Sequence, residues 1–482
     1  MKSSGHCTRA GVLAASALAL VHAPAALALE AGGTPAVNGA ALSPLWVLPF
    51  AGILLSIALM PLTAPGFWHH HFGKTTAFWT LAFVVPFTLQ FGAQATFRAV
   101  LHTLLAEYLP FIILLTALFV VSGGILVRGN LRGSPARNTG LLALGTLLAS
   151  VMGTTGAAML LVRPLLRAND QRRHQAHVMV FFIFLVANVG GALTPLGDPP
   201  LFLGFLKGVD FFWTTKAMLL PTAFTAALLL GLFWLVDRHL WRREAAIPPR
   251  RDPTPDSRLG LDGRVNILLL AAVIATVLLS GLWKPERYVD VLGTRIALQD
   301  AARDVLLVAI TVASLRLTSR RVHRDNHFHF GPIVEVAMLF AGIFLTIIPA
   351  LAMLRAGHEG VFAPLLGVLS RGDGTPADPL YFWLTGALSS MLDNAPTYLV
   401  FFNLAGGDPD LLMGPLASTL TAISCGAVFM GALTYIGNAP NFMVKSIAEA
   451  RGVRMPTFLG YIAWSAAVLL PVFAVVTLVF FA

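Results

Sequence analysis

Runs of about 18 or more apolar residues, each long enough to cross a hydrocarbon core of about 30 Å as a helix, recur from one end of this 482-residue chain to the other. In hydrocarbon a backbone must satisfy its own hydrogen bonds, and a helix does so within one segment. With 56% hydrophobic and 12% charged residues, the chain holds more apolar surface than a soluble fold of this length can bury. The expectation is an all-α, polytopic membrane protein, and a single-pass or surface-anchored chain is excluded.

Single spans are expected over 45–63, 75–93, 108–127, 217–237, 265–283, 301–317, 332–353 and 458–481, with longer apolar stretches at 178–206 and 416–444. Two segments, 139–166 and 380–404, fit poorly as single crossings. Each is an apolar helix, a break (GTTG at 153–156, LDNAP at 392–396) and a second short apolar helix, which reads as a re-entrant hairpin. Ahead of all of these, Lys2, His6 and Arg9 precede the apolar run GVLAASALALV, and APAALALEA follows with small-residue spacing. Residues 1–30 therefore read as a signal peptide, whose cleavage leaves an external amino terminus. Of the two cysteines, Cys7 leaves with that segment and Cys425 remains in an apolar run, so no intramolecular disulfide is expected.

The basic residues orient the chain. With the mature amino terminus outside and both hairpins returning to their own side, the loops 64–74, 128–138, 167–177, 238–264, 316–331 and 445–457 lie inside and carry 21 Lys and Arg, against 8 outside. This is the positive-inside pattern, and counting either hairpin as a crossing spoils it. The net charge of +10 is thus mostly cytoplasmic-loop topology, and no nucleic-acid partner is implied. The expected setting is a bacterial inner membrane, with the bilayer and small ions as partners.

The chain also repeats a breaker-rich phrase. GALTPLGDPPLF at 191–202 and GALTYIGNAPNF at 431–442 agree at seven of twelve positions, at an offset of 240. At the same offset ASVMGTTGAAML (149–160) faces SSMLDNAPTYLV (389–400). Two repeats follow, 45–238 and 265–482, joined by the basic, Pro-rich linker 239–264. Each holds three spans, a hairpin, a broken helix and a final span, about ten spanning helices and two re-entrant hairpins in all. Five crossings per repeat is odd, so the repeats are inverted in the membrane, the arrangement of secondary transporters with midplane sites at interrupted helices.

The breaks carry the chemistry. Pro removes amide donors and Gly permits non-helical angles, so carbonyls in TPLGDPP and TYIGNAP lose their helical partners. At membrane depth such groups are tolerated where they line a polar site. With Thr hydroxyls and a carboxylate they suit Na⁺, a hard cation. One site is expected from Thr154, Thr155, Thr194 and Asp198, with Gly153, Gly156 and Gly197 supplying backbone; a counterpart is expected from Asp393, Asn394, Thr397, Thr434 and Asn438. Asp198 aligns with Asn438 and Asp393 with Gly153, so each repeat keeps one acid, and Na⁺ is expected to bind through Asp198 and Asp393. An ionised acid is costly inside the membrane, so H⁺ competes with Na⁺ for it, the simplest physical route to exchange. The bland alternative is that both acids cap half-helices.

Glu107 and Glu335 lie near span starts, with His102 five residues before Glu107; they read as proton relays or gates, or as acids favoured at helix amino termini. Arg163 in LLVRPLL reads as a substrate or charge partner, or as a snorkelling residue. His69, His70 and His71, with His327 and His329, read as solvated loop histidines, or as a metal or pH sensor on the cytoplasmic face. Thr397 and Asn441 are substrate-facing or simple packing groups.

The motifs GTTGAAMLLVRPLL with ANVGGALTPLGDPPLF, HTLLAEYLPFIILLTALFVVSGG, and LDNAPTYLVFFN with IGNAPNF resemble sodium/proton antiporters of the NhaD type. These belong to the ion transporter superfamily, which also holds citrate and dicarboxylate carriers and arsenite exporters. The resemblance runs from about residue 45 to the carboxyl end. It implies a cation site at each hairpin tip with its neighbouring broken helix, and homodimers. The tips depart from the superfamily's frequent Ser-Asn-Thr, with Gly-Thr-Thr-Gly in one and Asp-Asn-Ala-Pro-Thr in the other, and Asp393 adds an acid where the carriers need none. The favoured expectation is a Na⁺/H⁺ antiporter with Na⁺ and H⁺ as its cargo and no cofactor. The alternative is a Na⁺- or H⁺-coupled carrier of citrate or another carboxylate. No nucleophile elbow, metal motif or nucleotide loop appears, so an enzyme is not expected.

Overall fold

The computed structural model describes residues 27–29, 35–245 and 257–482. Apart from Leu27–Leu29, a short strand paired with Pro35–Val37, the expected signal peptide lies outside the described residues, as do residues 246–256 of the linker.

The described residues are mostly helical, and six helices are long and apolar enough to cross a membrane: Pro44–Thr63, Ala93–Gly123, Ala176–Leu193, Phe211–Glu244, Val265–Leu282 and Phe458–Phe480. A seventh crossing forms if Gly331–Thr346 and Ile348–Arg355, bent by 45°, count as one. Helices also cover the expected spans at 75–93 and 301–317, as Pro65–Phe91 and Leu298–Leu317. The stretch 65–74, expected as a loop, forms the first turns of that 27-residue helix because Pro65 occupies a first-turn position, where its missing amide costs nothing. Three antiparallel two-stranded ribbons accompany the helices. One pairs Leu126–Asn130 with Ser257–Asp262, so the carboxyl end of the linker is tied down.

The chain forms two compact units, each drawing on both halves of the sequence. The first comprises residues up to Leu109 with Tyr288–Ile296 and Val334–Val368. Its apolar core packs Trp46, Phe83, Phe87 and Met353. The second comprises Pro110–Arg287, Ala297–Ile333 and Leu369–Ala482, and contains both hairpins and both broken helices at the repeated phrases. Pro135–Met152 and Thr154–Ala168 form the two arms of the first hairpin, and Asp378–Leu392 and Asn394–Leu404 those of the second. The first broken helix runs Ala176–Leu185, a short 3₁₀ turn at Val189–Leu193, then Pro199–Leu206. The second runs Ala417–Met430, a turn at Gly431–Leu433, then Ala439–Ala450.

Candidate ion site

The two hairpins break with the same backbone. Gly153 has φ 80°, ψ 150° and Asp393 has φ 82°, ψ 144°. A positive φ of this size is natural for glycine and strained for an aspartate. At Asp393 the side chain compensates, because its Oδ1 accepts a hydrogen bond from the Ala395 amide at 3.2 Å, capping the returning arm. Thr397 Oγ1 then donates to the Asp393 carbonyl at 2.8 Å.

The broken helices are matched with equal fidelity. Thr194 donates to the Ser150 carbonyl and Thr434 to the Ser390 carbonyl, each at 2.5 Å. Both hydroxyls also accept amides from their own break, so these two threonines bind the break to the hairpin. A Cβ on Gly197 would come within 2.1 Å of the Gly191 carbonyl oxygen, and one on Gly437 within 2.6 Å of that of Gly431. Only glycine permits this close turn.

Asp198 stands just before Pro199, where a cap is expected, yet its side chain makes no cap hydrogen bond. Its carboxylate instead collects donors from three other segments. Thr154 Oγ1 donates to Oδ1 at 3.1 Å, Asn438 Nδ2 donates to Oδ1 at 3.3 Å, and Asn394 Nδ2 donates to Oδ2. Asp198, Thr154, Asn394 and Asn438 are all buried. The structure thus gathers residues of both repeats on one carboxylate, rather than dividing them into one acid-centred set per repeat. Asp393 is partly exposed and within electrostatic reach of Asp198. Thr155 is also partly exposed, and the Thr154 amide donates to the Gly197 carbonyl at 2.9 Å.

One acceptor is left over. Asn394 Oδ1 is buried with no hydrogen-bond partner among the described residues, beside the carboxylate its own amide contacts. A buried unpaired acceptor next to a carboxylate is an unfavourable arrangement that a cation relieves. These donor types, carboxylate, amide oxygen, hydroxyl and backbone carbonyl, fit a hard monovalent ion.

Sequence reasoning missed Asn188, Ser150 and Ser390. Asn188 sits in the first break, donates to Asn441 Oδ1 at 2.8 Å, and accepts from Asn438 Nδ2 at 3.3 Å. Asn441 is therefore a bridge that also holds the Gly431 and Thr434 carbonyls, at 2.8 and 2.9 Å. The signal for Asn188 lay in its position ahead of the repeated phrase, in ANVGGALT.

The remaining candidates lie elsewhere. His102, Glu107 and Glu335 belong to the first unit. His102 precedes and Glu107 lies within a π-helical turn, Thr103–Tyr108, after which the Leu109 amide reaches back five residues to the Leu104 carbonyl, a feature frequent at functional sites. Glu335 accepts a hydrogen bond from Trp68 and faces His69. His70 and His71 bond carbonyls of their own helix at 2.9 and 3.1 Å, and no cluster of three or more His, Cys, Asp or Glu suited to a metal occurs among the described residues. Arg163 lies on the returning arm of the first hairpin.

A second buried polar cluster had no sequence signal beyond two charges near apolar runs. Asp237 accepts from Arg172 Nη1 at 2.5 Å, from Asn138 Nδ2 at 3.0 Å, and pairs with His177 Nε2 at 2.8 Å. Arg172 Nε also meets Glu244 at 3.2 Å. The cluster clamps the connection between the first hairpin and the first broken helix onto the long helix Phe211–Ala245.

The sequence profile of a family described as putative citrate transport matches residues 39–481. An uncharacterized transporter of Mycobacterium tuberculosis and one of Mycobacterium bovis are each 25% identical to this chain over 331 residues, covering 67% of it and 71% of the relative. The chain belongs to the putative citrate transport family and is a multi-pass membrane transporter.

Proposed function

We propose that this family member is a secondary transporter that exchanges Na⁺ for H⁺ at Asp198. The observation that carries the reading is the buried Asp198 carboxylate beside the unpaired Asn394 Oδ1. Na⁺ satisfies both oxygens and the nearby carbonyls; a proton neutralises the carboxylate when Na⁺ leaves. Because the two compete for one charge, the site cannot hold both, and alternating access converts that competition into exchange. Asp393 supports the site by capping the second hairpin tip and adding negative potential. The membrane is assigned as the bacterial cell membrane, with the basic loops in the cytoplasm.

A second reading, carriage of citrate or another carboxylate with Na⁺ as coupling ion, draws support from the family's description. The two separate in everted vesicles carrying a pH gradient. Antiport predicts collapse of the gradient on adding NaCl, lost in Asp198→Asn and weakened in Asp393→Asn. No response to NaCl, with Na⁺-dependent uptake of labelled citrate instead, refutes the antiport reading and makes Asp198 a coupling-ion site.

A further inference from the structure

Three buried asparagines run from the second break to the Asp198 carboxylate, and the backbone dictates which way each amide points. Asn441 Nδ2 donates to the Gly431 and Thr434 carbonyls at 2.8 and 2.9 Å. A carbonyl only accepts, so Asn441 turns its Oδ1 to Asn188, whose Nδ2 donates to it at 2.8 Å. Asn188 is held to that choice by a carbonyl of its own. The Ala187 amide reaches back to the Phe182 carbonyl at 3.2 Å, and the Ile183 carbonyl takes Asn188 Nδ2 at 2.8 Å. Asn188 therefore offers Oδ1 to Asn438 Nδ2 at 3.3 Å, and the Ala187 carbonyl accepts from the same nitrogen at 3.0 Å. With its nitrogen fixed there, Asn438 presents an N–H to Asp198 Oδ1 at 3.3 Å. Asn188, Asn438 and Asn441 are 0%, 3% and 0% exposed, so no water is at hand to compensate a reversed amide, which would set oxygen against oxygen.

The chain of amides belongs to one side of the molecule. At the offset of 240, Asn188 matches Val428 and Asn441 matches Leu201, so the repeat that builds the two breaks does not require it. It starts at carbonyls of the second break, passes through the first, and returns through Asn438 to the acid of the first. Its last atom is a donor, whereas a cation ligand must be an acceptor. Asp198 Oδ1 thus meets two donors, Thr154 and Asn438. A cation is left the Oδ2 side, where Asn394 Oδ1 has no hydrogen-bond partner among the described residues.

We propose that Asn188 and Asn441 are positioning residues that hold Asn438 as a hydrogen-bond donor to Asp198, so that Na⁺ affinity depends on the two broken helices being docked on each other. The assignment rests on the reading of Asp198 as a Na⁺ site, and it makes Asn438 a donor where its sequence position suggested a ligand. The bond from Asn438 is charge-assisted and fixes the orientation of the carboxylate. Without the Asn188 acceptor the Asn438 amide is free to turn, and its oxygen would then repel Asp198.

The test is thermal stabilisation of the purified full chain by NaCl, with choline chloride matched for ionic strength. The half-saturating Na⁺ concentration is expected to rise about tenfold in Asn188→Ala, the equivalent of one hydrogen bond to a charged group, and about threefold in Asn188→Ser, whose hydroxyl still accepts from Asn438. In an Asn438→Ala background the Asn188→Ala substitution is expected to add less than about twofold, because its effect passes through the missing amide. A merely structural role lowers the melting temperature without Na⁺ and leaves the half-saturating concentration where it was. The serine variant keeps a polar side chain and carries the test if the alanine variant does not fold. An unshifted Na⁺ dependence in either variant, a full tenfold shift in the Asn438→Ala background, or no Na⁺ stabilisation of the wild type overturns the proposal. Wild-type protein that Na⁺ stabilises but that leaves a pH gradient intact refutes exchange alone, and the shifts in the variants then uphold the positioning role at a Na⁺ site of another transport reaction.

Discussion

Replacing Asp237 by Leu removes the carboxylate on which three donors converge. The Arg172 and Asp237 side chains are 1% and 0% exposed, so Arg172 is left as a buried charge. Breaking one partner of a buried pair costs about 3–5 kcal/mol. Two details set the position within that range. Arg172 Nε keeps Glu244 at 3.2 Å, which argues for the lower end. His177 Nε2 loses its partner at 2.8 Å, and one unmade hydrogen bond adds about 1 kcal/mol; Asn138 retains Asn169 Oδ1 at 2.9 Å. The expected loss is therefore about 4 kcal/mol. Removing the cation as well, in Asp237→Leu with Arg172→Met, takes away the stranded charge and leaves a cost of about 1–2 kcal/mol, so the second substitution recovers about 2–3 kcal/mol of the first loss and reveals the coupling of the pair. Unfolding by SDS in mixed micelles, followed by tryptophan fluorescence for the wild type, both single variants and the double, measures that coupling. A single-variant loss below about 1 kcal/mol, or a double variant no more stable than Asp237→Leu, refutes the view that the clamp holds through charge pairing.

The hairpin tips separate stability from transport. Asp393→Gly relieves the positive φ and removes a carboxylate, so stability in the same SDS assay is retained or raised while NaCl-driven proton movement falls. Gly153→Ala imposes that strain on the other tip, costing about 1–3 kcal/mol in that assay. At the contact between Pro199–Leu206 and the second hairpin, an alanine Cβ at Gly204 would lie 2.4 Å from the Tyr398 hydroxyl. Gly204→Ala is expected to destabilise by about 1–3 kcal/mol, and Tyr398→Phe in the same chain to recover part of that loss.

The hairpins and broken helices could be read from the sequence because Gly, Pro and a 240-residue offset mark them directly on the chain, and helix ends followed within a few residues. Asp198 stood out for the same reason. Its partners were harder to assign, since the sequence pairs each residue with its equivalent, whereas the carboxylate takes Asn394 and Asn438 from the other repeat. The roles of Thr194 and Thr434 were hidden too: a hydroxyl looks like an ion ligand until its bonds to Ser150 and Ser390 are known. Nothing in the order of residues ties Asp237 to Arg172, 65 positions away.

The Asp198 cluster also has a timing. Asp198 leaves the ribosome long before its partners: Asn394 is 196 residues later and Asn438 is 240 residues later. At about 5–20 residues per second, the acid waits roughly ten to forty seconds in the insertion machinery or the bilayer before the first of these amides is made. During that interval it has Thr154 alone from this set, so a chain truncated after its first half carries an uncompensated acid in a broken helix. The finished cluster thus closes only when the last repeat has folded against the first, and the burial of this acid becomes a late event in the making of the chain.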